Sequence, residues 1–278
     1  MSSWIEHLRE KQIRPSRKLG QNFLIHSSTA QKIVRWAGVE NGDCVLEIGP
    51  GLGAMTEELL RAGCKVWAVE KDARLVEILK ERFANELGLV VIHADVLEYD
   101  VSKIITSPSS SGIRVVSNLP YSISTPILEK LLDHLPLFRD FCLLFQSELV
   151  DRLGGTVGTK DYGRLSIWVQ ALCEVEKGPT ISAGSFFPAP DVESRLVRLT
   201  PLKTPLVPVE EQEALRQITA KIFQHRRKSL RNSLLDSQFS KEQVAKALTE
   251  ARIDPASRAE TLSLEQLRKL TSALSGPM

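Results

Sequence analysis

The chain has 278 residues, a net charge of only +2, 42% hydrophobic and 25% charged side chains, which suits one large domain or a large and a small one with real cores. No apolar run nears the roughly 18 residues that a membrane-crossing helix needs, and the opening Met1–Glu10 carries acids and no apolar stretch of the kind a secretory leader requires. The four cysteines (Cys44, Cys64, Cys142, Cys173) form no C-x-x-C pair and the five histidines show no metal-ligand spacing, so reduced, buried thiols in a cytoplasmic protein without a metal site are expected.

In chain order, residues 1–19 read as a polar lead-in with a basic stretch at Arg14, Arg17 and Lys18. The hydroxyl cluster Ser27-Ser28-Thr29 before an amphipathic run predicts a helix start, and Gly38 its stop. Strands are expected at 44–48, 65–69, 89–93, 114–117, 141–145, 174–177 and 194–199. Helices are expected at 55–62, 73–84, 126–132, from 148 and at 166–172, and the serine-rich 104–112 is expected as a surface loop. Apolar strands alternating with helices argue a mostly parallel sheet covered on both faces, and the last two strands suit an antiparallel edge. Prolines at 201, 205 and 208 mark a linker, after which the pattern is wholly helical: roughly 210–236, 240–250 and 263–274. The domains are therefore set at 1–200 (with the extension 1–19) and 209–278.

Chemistry collects at predicted strand tips. Glu47-Ile-Gly49-Pro-Gly51-Leu-Gly53 follows the first strand and opens a helix, where glycines let a backbone approach a ligand. A NAD-type fold uses a similar turn, so the turn alone is unspecific. Glu70 ends the second strand, where a carboxylate can accept from ribose hydroxyls, and Asp95 follows the third, where one can accept from an adenine amine. Acids at these tips disfavour a pyrophosphate, and the P-loop lysine is absent; S-adenosylmethionine, with its sulfonium and no phosphate, suits such a crevice. Taken singly, either acid could be a solvated strand end.

After the fourth strand comes Asn118-Leu119-Pro120-Tyr121. The Asn118 amide oxygen and Leu119 carbonyl could accept from an exocyclic amine, while Tyr121 stacks on its base. That base would have to leave its helix or be unpaired already. Phe186-Phe187-Pro188 could supply a second ring, Phe186 being preferred, although paired phenylalanines often belong to the core. Arg226, Arg227, Lys228 and Arg231, with Lys221 and no acid among them, read either as a solvated helix face or as a phosphate-contacting one.

With these residues assembled, the chain resembles the ribosomal-RNA adenine N6-dimethyltransferases over nearly its whole length. The resemblance rests on Gly20-Gln-Asn-Phe-Leu24, Glu47–Gly53, Glu70, Asp95, Asn118–Pro126, Tyr162-Gly-Arg-Leu-Ser166, Phe186–Ser194 and Phe223–Ser233. It implies a Rossmann-like class I methyltransferase fold with a seven-stranded sheet and a small all-helical C-terminal domain. It implies S-adenosylmethionine contacts at Asn22, Leu24, Gly49, Gly51, Glu70, Asp95 and Asn118. It further implies dimethylation of two adjacent adenines in the 3′-terminal hairpin of 16S rRNA in an immature small ribosomal subunit, by a monomer and without a membrane. Three alternatives stand beside it: a large-subunit rRNA methylase conferring antibiotic resistance, a non-catalytic assembly or transcription factor, and a small-molecule methyltransferase. The intact Asn118–Tyr121 and the basic C-terminal segment weigh against the last two.

Overall fold

A computed structural model describes residues 13–16, 19–104, 112–225, 227–237 and 239–275. Most of the lead-in, the basic Arg17 and Lys18, the body of the serine loop and Arg226 lie outside the described residues. The chain divides into two compact units, Met1–Val150 with Glu176–Pro201, and Asp151–Val175 with Leu202–Met278.

The first unit opens with a two-residue strand, β1 (Phe23–Leu24), then α1 (Ser27–Ala37). Gly38 ends α1 at φ 64°, ψ 38°, its N–H donating to the Arg35 carbonyl. The expected hydroxyl cap sits one residue late: His26 holds the cap position with no side-chain bond. There follow β2 (Cys44–Ile48), α2 (Ala54–Arg61), β3 (Lys65–Glu70), α3 (Ala73–Arg82), β4 (Leu89–His93), β5 (Ile113–Asn118), α4 (Ser124–Asp133) and β6 (Phe138–Gln146). After α5 (Ser147–Leu153) and α6 (Arg164–Leu172), the latter being part of the second unit, come β7 (Cys173–Ile181), the short β8 (Phe186–Phe187) and β9 (Ser194–Pro201).

Seven strands form one sheet in the order β4-β3-β2-β5-β6-β9-β7. From β4 to β6 neighbours are parallel, as the pattern predicts, and β9 pairs antiparallel with β6; the last two strands, β9 and β7, are neighbours at the edge. Strands covered on both faces have little polar surface, and Val45, Leu46, Val115, Val116 and Leu143 are all fully buried. A second ladder, antiparallel and two residues long, joins β1 to β8 and pairs Leu24 with Phe186.

One end of the sheet is locked by charge. Arg114, at the start of β5, is 3% exposed. Its guanidinium meets both Asp140 carboxylate oxygens at 2.9 Å, Asp43 at 3.0 Å, and the Gly38 and Ala37 carbonyls at 2.6 and 2.5 Å.

The second unit departs from the expected boundaries. Residues 151–175, assigned above to the first domain, group with the C-terminal helices. The cause is specific contact: the Tyr162 hydroxyl donates to the Leu262 carbonyl at 3.0 Å, its ring meets Phe223 edge-on at 6.4 Å, and Arg216 lies over Trp168 at 4.6 Å. The expected single helix 210–236 is two, α7 (Val209–Ile222) and α8 (Leu230–Leu235), followed by α9 (Lys241–Glu250) and α10 (Leu264–Ser275). Between α7 and α8 the Lys228 N–H turns back onto the His225 carbonyl, and Ser229 caps α8 by accepting from Asn232 N–H. Arg227 and Lys228 thus occupy a connecting turn, while Lys221 lies on α7 and Arg231 on α8. No helix among the described residues is long and apolar enough to cross a membrane.

Candidate active site

β2 and β5 are neighbours at the middle of the sheet, where chain order reverses, so the turns that follow them stand side by side. The amide of Ile48 donates to Ser117 Oγ at 2.8 Å across this junction. Gly49, Gly51 and Gly53 have φ of 65°, 60° and 90°, a region that residues with a Cβ rarely adopt. At Gly51 space is equally short, since a Cβ would lie 2.9 Å from the Phe23 ring. The turn, residues 19–24 and the tips of β3, β4 and β5 line one cleft.

Three carboxyls face that cleft. Glu70 is 6% exposed, and its oxygens accept from Gly51 N–H at 3.2 Å and Asp72 N–H at 2.8 Å. Burial pushes its carboxyl up, against the pull of these backbone bonds. Glu47 is 1% exposed and accepts from Thr56 Oγ1 at 2.6 Å. Burial, aided by the nearby Glu70, raises its pKa to about 8, so it is largely neutral at pH 7. Asp95 accepts from Leu97 N–H and pairs with Lys71 at 2.5 Å, which holds its carboxyl below the ordinary range. Lys71 is the one lysine or arginine among the described lining residues.

Asn118 ends β5, and its Nδ2 donates to the Asn22 carbonyl at 3.1 Å. That bond fixes the amide plane and leaves Oδ1 as the acceptor. The following turn is closed by Ile123 N–H and Ser124 Oγ, both donating to the Pro120 carbonyl. The Tyr121 hydroxyl shares a hydrogen bond with Ser194. Gln21 accepts from Ser16 N–H and donates to Asp72, tying the N-terminal segment to the cleft wall beside β3.

The structure brings together Asn22, Leu24, Gly49, Gly51, Glu70, Asp95, Asn118, Leu119 and Tyr121. Phe186 is 2% exposed, packs in the core through its pairing with Leu24, and is not among the described residues that line the cleft. Its neighbour Phe187 is the exposed ring, at 39%. Alternation along a strand puts adjacent side chains on opposite faces, and a two-residue ladder leaves too little pattern to choose the face. Arg227, Lys228 and Arg231 are exposed in the helical unit. Glu47, Lys71 and Ser194 were given no role from sequence; Glu47 carried a signal in the glycine-turn motif and Ser194 one as the last residue of the Phe186–Ser194 motif, while Lys71 carried none.

This sheet order, with a glycine turn and acidic tips at the crossover, defines a class I methyltransferase. Two solved structures share the fold: a dimethyladenosine transferase from Plasmodium falciparum, at TM-score 0.74 and 26% identity over 89% of this chain and 95% of its own, and the 23S rRNA methyltransferase ErmE, at 0.66 and 26% over 92% and 100%. The ribosomal RNA adenine dimethylase family model matches residues 13–275. A ribosomal RNA small subunit methyltransferase A from Geobacillus sp. (strain WCH70) is 41% identical over 93% of this chain and 91% of its own, and one from Geobacter metallireducens is 37% identical over 96% and 98%. The chain belongs to the ribosomal RNA adenine dimethylase family and is an rRNA adenine dimethyltransferase.

Proposed function

We propose that the enzyme uses S-adenosylmethionine to dimethylate N6 of two adjacent adenosines in the 3′-terminal hairpin of 16S rRNA, acting as a cytoplasmic monomer on the immature small subunit. The relatives named as small-subunit methyltransferases support that substrate. The donor suits the cleft, because it carries no phosphate and the one lysine among the described lining residues is paired with Asp95. Asn22, Leu24, Gly49, Gly51 and Glu70 would hold the donor, with Asp95 at its adenine amine. When bound, it supplies an electrophilic methyl carried on a sulfonium.

The remaining work falls to the chain. An adenine amine is a weak nucleophile because its lone pair is delocalised into the ring. No base has to deprotonate it first; acceptors must draw its hydrogens so that the lone pair turns out of plane. The observation that carries this reading is the Asn118 amide, oriented by its bond to Asn22 with Oδ1 left to accept. The Leu119 carbonyl is the second acceptor, and Tyr121 is a wall for the base. The contribution is positioning and preorganised electrostatics.

The basic residues Arg226, Arg227, Lys228 and Arg231 would contact rRNA phosphates. Transfer of tritiated methyl to unmethylated small subunits, followed by mapping of the modified bases, tests the whole reading. Label on large subunits only would instead favour the activity of the 23S methyltransferase neighbour. In the same assay, Arg227→Glu should weaken subunit binding and lower its log–log salt slope by about 1; an unchanged slope removes Arg227 from the RNA contacts.

A further inference from the structure

Tyr121 begins a short turn, Tyr121–Ile123, whose middle residue Ser122 is exposed. Backbone bonds fix this turn but not the ring of Tyr121, which could rotate about its side-chain torsions. What ties the ring is its hydroxyl, 2.5 Å from Ser194 Oγ.

Ser194 comes from a distant part of the chain and is itself rigidly held. It is fully buried, begins β9, and stands in register opposite Gln146 of β6. The preceding Glu193 carbonyl accepts from Ser147 N–H at 3.0 Å. Either hydroxyl can donate in this bond, and burial pushes the Tyr121 phenol further up from its ordinary pKa.

We propose that Ser194 is a positioning residue for methyl transfer: its hydroxyl sets the ring of Tyr121 at the angle that walls the target adenine. This rests on the adenine-amine reading given above. A wall at the wrong tilt lets the amine drift from Asn118 Oδ1, and small misplacements are costly in a step that depends on near-attack geometry. The effect belongs in turnover, since neither Ser194 nor the Tyr121 hydroxyl is among the groups assigned to the donor.

Ser194→Ala, Tyr121→Phe and the double variant provide the test, on unmethylated small subunits with S-adenosylmethionine. Each single change should lower kcat about ten-fold. The Kd for S-adenosylmethionine, measured by calorimetry, should stay within about two-fold. Both changes delete the same bond, so the double variant should be no slower than either single one. Wild-type turnover in Tyr121→Phe, or losses that multiply in the double variant, overturns the proposal and leaves Ser194 a packing residue. Should Ser194→Ala fail to fold, Tyr121→Phe decides alone, because it keeps the ring and the buried serine. A wild-type enzyme that transfers no methyl to small subunits defeats the parent reading instead.

Discussion

Arg114 and Asn118 stand at opposite ends of one six-residue strand, β5, and follow opposite rules. At the first end the polar groups close on one another: the guanidinium, on a residue 3% exposed, meets two carboxylates and two carbonyls. At the other end Asn118 spends its donor on Asn22 and keeps an acceptor back. Beside it Glu70 is held by backbone amides and a neutral Glu47 waits under the glycine turn. A saturated cluster can only hold the sheet; an end with acceptors left over can take a ligand. The same strand therefore carries stability at its start and chemistry at its finish.

The contrast is broken most severely at the saturated end. Arg114→Ala would leave the buried Asp140 without its guanidinium partner, at about 3–5 kcal/mol, while Asp43 keeps Arg139. Thermal unfolding should show a midpoint lowered by on the order of 10 °C, with turnover per folded molecule preserved below the transition. A fall in turnover with the midpoint unmoved would mean that the two ends are not separate.

Asn118→Ala should give the reverse: no appreciable change in unfolding midpoint, a Kd for S-adenosylmethionine still measurable by calorimetry, and methyl transfer down by about 100-fold or more. Undiminished single-turnover transfer would remove Asn118 from the mechanism.

The smallest effect concerns Glu47 and sharpens the comparison by pH. Its folded-state pKa of about 8 lies above the ordinary 4.5. The stability it lends is therefore full below about 4.5 and is lost as pH rises through about 8. Glu47→Gln stays neutral throughout. Its melting temperature relative to wild type should climb between pH 4.5 and 8 and then level off. A constant difference across that window would show that Glu47 is ionised in the folded protein.

Much of this was legible locally. The bounds of β2 and β4 coincide with the apolar runs, the glycine turn takes the positive φ that its composition suggests, and the acids and Asn118 fall at strand tips around one cleft. Other features had no local signature. The β1–β8 ladder is a contact between two dipeptides far apart in sequence, and it buries Phe186 while exposing Phe187. The break between α7 and α8 interrupts a run of ordinary helix formers, and the Leu230 amide there bonds the distant Ser257 carbonyl at 2.7 Å.

The sequence by itself determined which elements form and which residues sit at their ends, because strand and helix periods and glycine's freedom are properties of a few neighbouring residues. Only the tertiary structure decided that 151–175 belongs with the helical unit, that Glu47 is neutral, and that Tyr121 is tied to Ser194. Each of those depends on burial or on contact between residues distant in the chain, and neither is encoded at any single position.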